Sequence, residues 1–183
     1  MYFYRGVVTG EQSYRQVDPF EGTVTETLMT PAISHWYGYL FDPPLNVNAF
    51  AVTDLDKDGN PELLLKLSED FGFELLRWYD GAVYGYPFVA RAMEAVTVDG
   101  EIHASSGATN FGWLTLSFNG IDLSRPSVCW MSDEETDTFV CTIGGKIVTL
   151  EEFQALNETL WNKDMLEWTD YTPDALDAAV SGE

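Results

Sequence analysis

Two short apolar runs, Ala49-Phe-Ala-Val-Thr53 and Leu63-Leu-Leu-Lys-Leu67, are separated by Asp54-Leu-Asp-Lys-Asp-Gly-Asn-Pro-Glu62, a segment that carries four carboxylates. Runs of this length predict strands, and the polar break between them predicts a turn. Asp54, Asp56 and Asp58 fall at alternate positions, Gly59 follows, and Glu62 is the fourth acid. A chain that curls at this spacing points every second side chain towards one centre. Gly59 permits the sharp bend, because glycine takes positive φ without steric cost. Left without a counter-charge, the carboxylates repel one another. A hard divalent cation, which takes about six to eight oxygens at roughly 2.3–2.6 Å, would relieve that repulsion. The pattern therefore assigns Asp54, Asp56, Asp58 and Glu62 as side-chain ligands and Asn60 as a backbone-carbonyl ligand, with water completing the shell. Ligand number and loop flexibility favour calcium, Ca2+, over a structural magnesium. The competing account is an ordinary Asp/Gly/Asn-rich turn with no ion.

The spacing is not that of a helix–loop–helix calcium site. Such a loop needs a bidentate Glu at its twelfth position, and counting from Asp54 that position is Leu65. Pro61 and the strand-like flanks point instead to a strand–loop–strand arrangement. The stretch Phe50-Ala-Val-Thr-Asp-Leu-Asp-Lys-Asp-Gly-Asn-Pro-Glu-Leu-Leu-Leu65 resembles the calcium loop of FG-GAP/VCBS-type repeats, found in integrin alpha-chain propellers and in many secreted bacterial proteins. The resemblance covers about a tenth of the chain. It implies a non-catalytic calcium-binding domain of a secreted or surface protein, with the ion structural. Glu62 stands where those repeats usually have Asp. A single copy of the loop does not build a propeller.

Charge narrows the partners. Thirty acidic residues against nine basic ones give a net charge of −21. Nucleic acid and anionic lipid are disfavoured, since neutralising phosphates requires clustered Lys and Arg. Cations and basic proteins suit such a surface. No stretch reaches the roughly 20 apolar residues of a membrane-spanning helix. The start, Met1-Tyr-Phe-Tyr-Arg-Gly-Val-Val-Thr-Gly10, is not a signal-peptide pattern. An extracellular or surface location therefore requires this chain to be a mature part, and a cytoplasmic one stays open.

At 183 residues the chain fits one domain, 1–183, with enough mass for a core. Residues 1–48 read as an extended aromatic lead-in to about position 22 followed by one or two short helices. Leu28, Ile33, Trp36, Tyr37 and Leu40 are candidates for their buried face, and Phe41–Leu45 reads as a loop. Residues 49–148 read as an antiparallel meander containing the cation loop. Asp80-Gly81, Asp99-Gly100 and Asn119-Gly120 mark its tight turns, because Asp-Gly and Asn-Gly suit type I′ geometry. Trp113–Phe118 reads as one strand. Ser127–Met131 and Phe139–Ile143 read as a pair joined by an acidic tip. A turn centred on Glu135 would set Cys129 opposite Cys141, close enough for a cross-strand disulfide, while two buried thiols are the alternative. Residues 149–183 carry Thr149 and Glu152 as a capping box, an apolar stripe of Leu150, Phe153, Leu156, Leu160 and Trp161, and a last helix opened by Pro173. The fold class is β-rich α+β, with short helices at the N- and C-terminal ends.

Enzyme signatures are sparse. There is no Gly-x-Ser-x-Gly elbow, Cys-x-x-Cys, His-Glu-x-x-His, P-loop or dinucleotide fingerprint. His35 lies among aromatics with no second ligand nearby. His103 and Ser105 would share one strand face and could be drawn as a Ser/His pair. A hydrolase using a carboxylate pair beside the cation loop is a third possibility. Trp36, Trp78, Tyr79, Tyr84, Tyr86 and Trp113 could stack a carbohydrate ligand or fill a sheet core. The leading expectation is a calcium-binding module with a protein or carbohydrate ligand. The alternative is an acidic intracellular interaction, immunity or inhibitor protein that binds a basic partner.

Overall fold

The computed structural model describes residues 2–37, 46–67, 72–134 and 138–181. They are β-rich, with mostly antiparallel sheets and a few short helices. In order the elements are α1 (Tyr2–Val8), β1 (Tyr14–Val17), β2 (Val24–Thr27), α2 (Met29–Tyr37), β3 (Val47–Thr53), β4 (Glu62–Leu67), β5 (Gly72–Tyr79), β6 (Ala82–Val89), β7 (Ala95–Val96), β8 (Ile102–Gly107), β9 (Asn110–Leu114), β10 (Ser117–Asn119), β11 (Asp122–Ser124), β12 (Ser127–Glu134), β13 (Thr138–Ile143), β14 (Lys146–Val148), α3 (Leu150–Trp161), β15 (Thr169–Asp170) and α4 (Pro173–Ser181). No helix among the described residues is long and apolar enough to cross a membrane.

The chain divides into two compact units. The first draws on Met1–Asp54, Asp58–Ala90 and Glu167–Glu183. Its sheet has the order β15-β3-β4-β5-β6-β1-β2. Strands β3 to β6 run as consecutive antiparallel neighbours, and β1 joins them in parallel at β6 through Arg15↔Tyr84 and Gln16↔Gly85. Asp80 and Gly81 both take positive φ in the β5–β6 turn, the type I′ geometry that Asp-Gly predicts, whereas at Asp99-Gly100 and Asn119-Gly120 only the glycine does, so the type I′ expectation fails there. The core of this unit gathers Tyr4 and Val7 from α1, Ile33 from α2, Leu63, Leu65 and Leu76 from the sheet, and Leu176 and Val180 from α4.

Gly85 is required by packing on β6. A Cβ there would lie 2.1 Å from the Tyr14 ring and 2.5 Å from Glu74 Oε1. Its absence lets Tyr14 cross the strand, where its hydroxyl reaches Gln16 Oε1 at 2.5 Å and Glu74 Oε1 at 3.1 Å. Glu74 is fully buried, so these polar contacts offset part of its desolvation.

The second unit comprises Leu55–Lys57 and Arg91–Leu166. Its main sheet has the order β14-β13-β12-β9-β8-β7, and β10 and β11 form a separate hairpin. Trp113, Cys129, Cys141, Phe153 and Leu160 make its core. The Trp113 indole donates to Asn157 Oδ1 at 2.9 Å, which satisfies the one polar atom of the largest buried side chain. Helix α3 opens with the expected capping box: Thr149 and Glu152 exchange side-chain-to-backbone hydrogen bonds.

Several expectations need correction. The first residues are helical over Tyr2–Val8, not extended. Tyr4 and Val7 lie three apart and are both buried, so tertiary burial overrides the strand propensity of an aromatic, β-branched sequence. Part of the region read as helix after Thr23 is strand β2, and Leu28 is exposed. The strand expected over Trp113–Phe118 breaks at Thr115, whose N–H bonds the Pro126 carbonyl. Leu150 and Trp161 are each 46% exposed, so the buried stripe of α3 is narrower than expected, centred on Phe153 and Leu160. The Phe41–Leu45 loop and Leu40 lie outside the described residues, as does the tip at 135–137.

The cysteines are also not opposed. Register pairs Cys129 with Ile143 and Cys141 with Met131, centring the turn one residue later than Glu135. Cys129 and Cys141 are free and buried. Burial pushes both thiols above their ordinary range, against oxidation chemistry that needs thiolate. Thiol titration under denaturing, non-reducing conditions should find both cysteines free, and reductant should leave the melting temperature unchanged.

Candidate functional site: the β3–β4 acidic loop

The register of the sheet dictates how the loop is held. Leu63 pairs with Leu76 across β4 and β5. Continuing that register sets Glu62 beside Arg77, and Pro61 beside Trp78. Pro61 has no N–H and the ladder stops before it, so the Trp78 N–H and the Pro61 carbonyl need another partner. Tyr4 supplies it from α1: its hydroxyl accepts from the Trp78 N–H at 3.0 Å and donates to the Pro61 carbonyl at 3.1 Å. A side chain thus takes the place of a rung. Burial raises the Tyr4 phenol to about 12, partly opposed by the Trp78 hydrogen bond, so it stays a donor at ordinary pH.

Glu62 opens β4 fully buried, with Oε1 3.8 Å from Arg77 Nε. Arg77 Nη2 donates to Asp58 Oδ2 at 3.0 Å, and its guanidinium lies 5.1 Å from the centroid of the Tyr79 ring. One guanidinium therefore answers two of the loop's acids. Sequence reasoning missed both Arg77 and Tyr4. The available signal was a single Arg in the apolar run Phe73-Glu-Leu-Leu-Arg-Trp-Tyr79, which hairpin register could have set opposite Glu62.

Within the loop the Asp54 carboxylate accepts from two backbone amides, Asp58 N–H at 3.1 Å and Gly59 N–H at 3.0 Å. Asp58 Oδ1 accepts from the Asn60 N–H at 2.7 Å and from its side-chain amide at 3.1 Å. Gly59 sits at φ 90°, as the spacing predicts, and Lys57 also takes a positive φ of 61°. The curl brings Asp54, Asp56 and Asp58 together, with ligand oxygens within 4.8 Å of one another. Asp54 and Asp56 are half-buried and Asp58 is exposed. Glu62 is not in that group, and Asn60 faces Asp58 through its amide. The donor set is all oxygen, which suits a hard cation rather than zinc or copper.

Burial raises the Asp58 carboxyl, but the hydrogen bonds from Asn60 and Arg77 and the guanidinium charge outweigh it and hold it below the usual carboxylate range. A depressed folded-state pKa contributes stability above the ordinary pKa of about 4, lost as pH falls through the lowered value.

The Ser/His pair that could be drawn on β8 fails on geometry. His103 and Ser105 share a face of β8, but Glu94 lies between them. Its Oε2 is 2.9 Å from His103 Nδ1, and its Oε1 accepts from the Ser105 hydroxyl at 2.7 Å. A nucleophilic triad needs the imidazole between acid and hydroxyl, so Ser105 has no imidazole base in this arrangement. Burial lowers His103, and Glu94 opposes that shift. His35 is exposed on α2. Among the described side chains of the aromatic set, Tyr84, Tyr86 and Trp113 are buried rather than presented for stacking, and the Trp36 side chain lies outside those described.

No protein-family model, no curated protein and no solved structure matches this chain.

Replacing Tyr4 by Phe removes one hydroxyl and leaves two backbone groups without it, which should cost about 1–3 kcal/mol in urea unfolding. An unchanged midpoint would show that water serves the rung equally well. Asp58→Asn should flatten the decline in stability as pH falls below the ordinary carboxylate pKa of about 4, because the parent protein loses the Asp58 contribution there and the variant has none to lose. Parallel stability profiles for the two proteins would contradict the assignment.

Proposed function

We propose that this chain is a non-catalytic calcium-binding domain of a secreted or surface protein, with the ion a structural part of the β3–β4 loop. The observation that carries this reading is the gathering of Asp54, Asp56 and Asp58, with oxygens within 4.8 Å of one another. Three carboxylates so close together repel, and a dication at their centre turns that cost into attraction. In this reading the three aspartates hold the ion, and Asn60 contributes its backbone carbonyl. Water fills the remaining positions. Glu62 keeps Arg77 in place and so orients Asp58 indirectly. The loop's similarity to FG-GAP/VCBS repeats supports calcium and a location outside the cell.

Extracellular modules bind calcium with Kd of order 10⁻⁴–10⁻³ M. At a free concentration about ten- to a hundredfold above Kd, linkage adds roughly 1.4–2.7 kcal/mol of stability. Thermal unfolding in calcium, in magnesium and in excess chelator should show an increase specific to calcium. Asp56→Ala should abolish the increase. Glu62→Gln should lower stability with and without calcium and keep most of the increment.

The net charge of −21 favours a second reading, an acidic interaction or inhibitor protein with a basic partner. An absent calcium response, together with salt-sensitive capture of a basic protein, would move the assignment to it.

A further inference from the structure

The first unit carries a cleft that the acidic loop does not use. It has a volume of about 310 Å³, at the small end of the range for ligand sites. Val7 and Val83 contribute apolar surface, as do Phe3 and Trp78, whose rings stack with centroids 3.6 Å apart. Arg15 and Glu26 line the same cleft.

These two residues are direct register partners across β1 and β2. Opposite charges at such a position ordinarily pair with each other. Here they do not. Arg15 turns to β6, where Nη1 donates to the Tyr84 hydroxyl at 2.7 Å and the guanidinium lies 5.5 Å from that ring's centroid. Glu26 is held instead by the Ser13 hydroxyl, which donates to its Oε1 at 2.7 Å. A cation and an anion are thus kept apart in one small, partly apolar space. Arg15 retains donors beyond the one given to Tyr84, and Glu26 retains its second carboxylate oxygen.

We propose that this cleft binds a small zwitterion of the α-amino-acid class with an apolar side chain. The ligand carboxylate would meet Arg15, the ligand ammonium would meet Glu26, and the side chain would lie against Phe3, Trp78 and the two valines. A guanidinium suits a carboxylate because its fork can donate two parallel hydrogen bonds. A neutral sugar uses neither charge, and a simple anion uses only one. The volume fits one amino acid and not an extended peptide.

Titration calorimetry of the full chain with L-phenylalanine and L-leucine tests this, with N-acetyl-L-phenylalanine and L-phenylalaninamide as the ligands lacking one charge each. Binding of the free amino acids is expected, with about a tenfold loss for each single-charge analogue, the size of one charge-assisted hydrogen bond. Glu26→Gln should erase the penalty for N-acetylation but not that for amidation, and Arg15→Met should do the reverse. Both residues are exposed, and unchanged melting temperatures would certify the variants as folded. Several outcomes would overturn the proposal: no heat from either amino acid at millimolar concentration, equal binding of all four ligands, or glucose or galactose binding as tightly.

Discussion

Like charge confined to a short turn is the constraint on which the rest of the first unit depends. Four carboxylates from Asp54 to Glu62, the first residue of β4, face one basic residue in their own segment, Lys57, whose ammonium reaches the Val98 carbonyl at 3.4 Å. Neutralisation has to come from outside the loop. Arg77 meets part of the demand from β5, covering Asp58 and the buried Glu62. The three aspartates still share one centre. A single guanidinium is one charge against four, and a dication at that centre is the natural complement.

The constraint reaches into the fold through the hairpin register. Pro61 ends the loop and cannot donate, so the β4–β5 ladder stops there and Tyr4 is recruited from α1 to close it. The N-terminal helix therefore has a chemical as well as a packing role. It adds Val7 to the core and fixes the loop's exit. The same helix, through Phe3 and Val7, forms one wall of the cleft beside Arg15 and Glu26. Arg5 reinforces its attachment to α4 by donating to Asp177 at 2.7 Å, an exposed pair of modest worth.

Much of this was legible in the residues because the deciding interactions are local. The Asp80-Gly81 turn fixes φ within two residues, apolar runs fix strands over five or six, and the Thr149/Glu152 box needs only one helical turn. The curl of Asp54, Asp56 and Asp58 follows from spacing plus Gly59. What stayed hidden depends on partners distant in sequence. The parallel β1–β6 pairing joins residues about 70 positions apart, and no turn announces it. Helix α1 forms because Tyr4 and Val7 find a core, against the propensity of their neighbours. The centre of the β12–β13 turn shifted by one, and the cysteine pairing by two, because the acidic tip has no Gly or Asn-Gly to pin it. Arg77 became a site residue only when the sheet set it beside Glu62.

The central claim is that the aspartate loop holds a calcium ion. Equilibrium dialysis against radioactive calcium at physiological ionic strength counts that ion directly, without relying on stability. The account predicts one calcium per chain, lost in Asp54→Asn and Asp56→Asn and retained in Arg15→Met. Absence of bound calcium in the parent protein would contradict it, as would binding that persists in both aspartate variants.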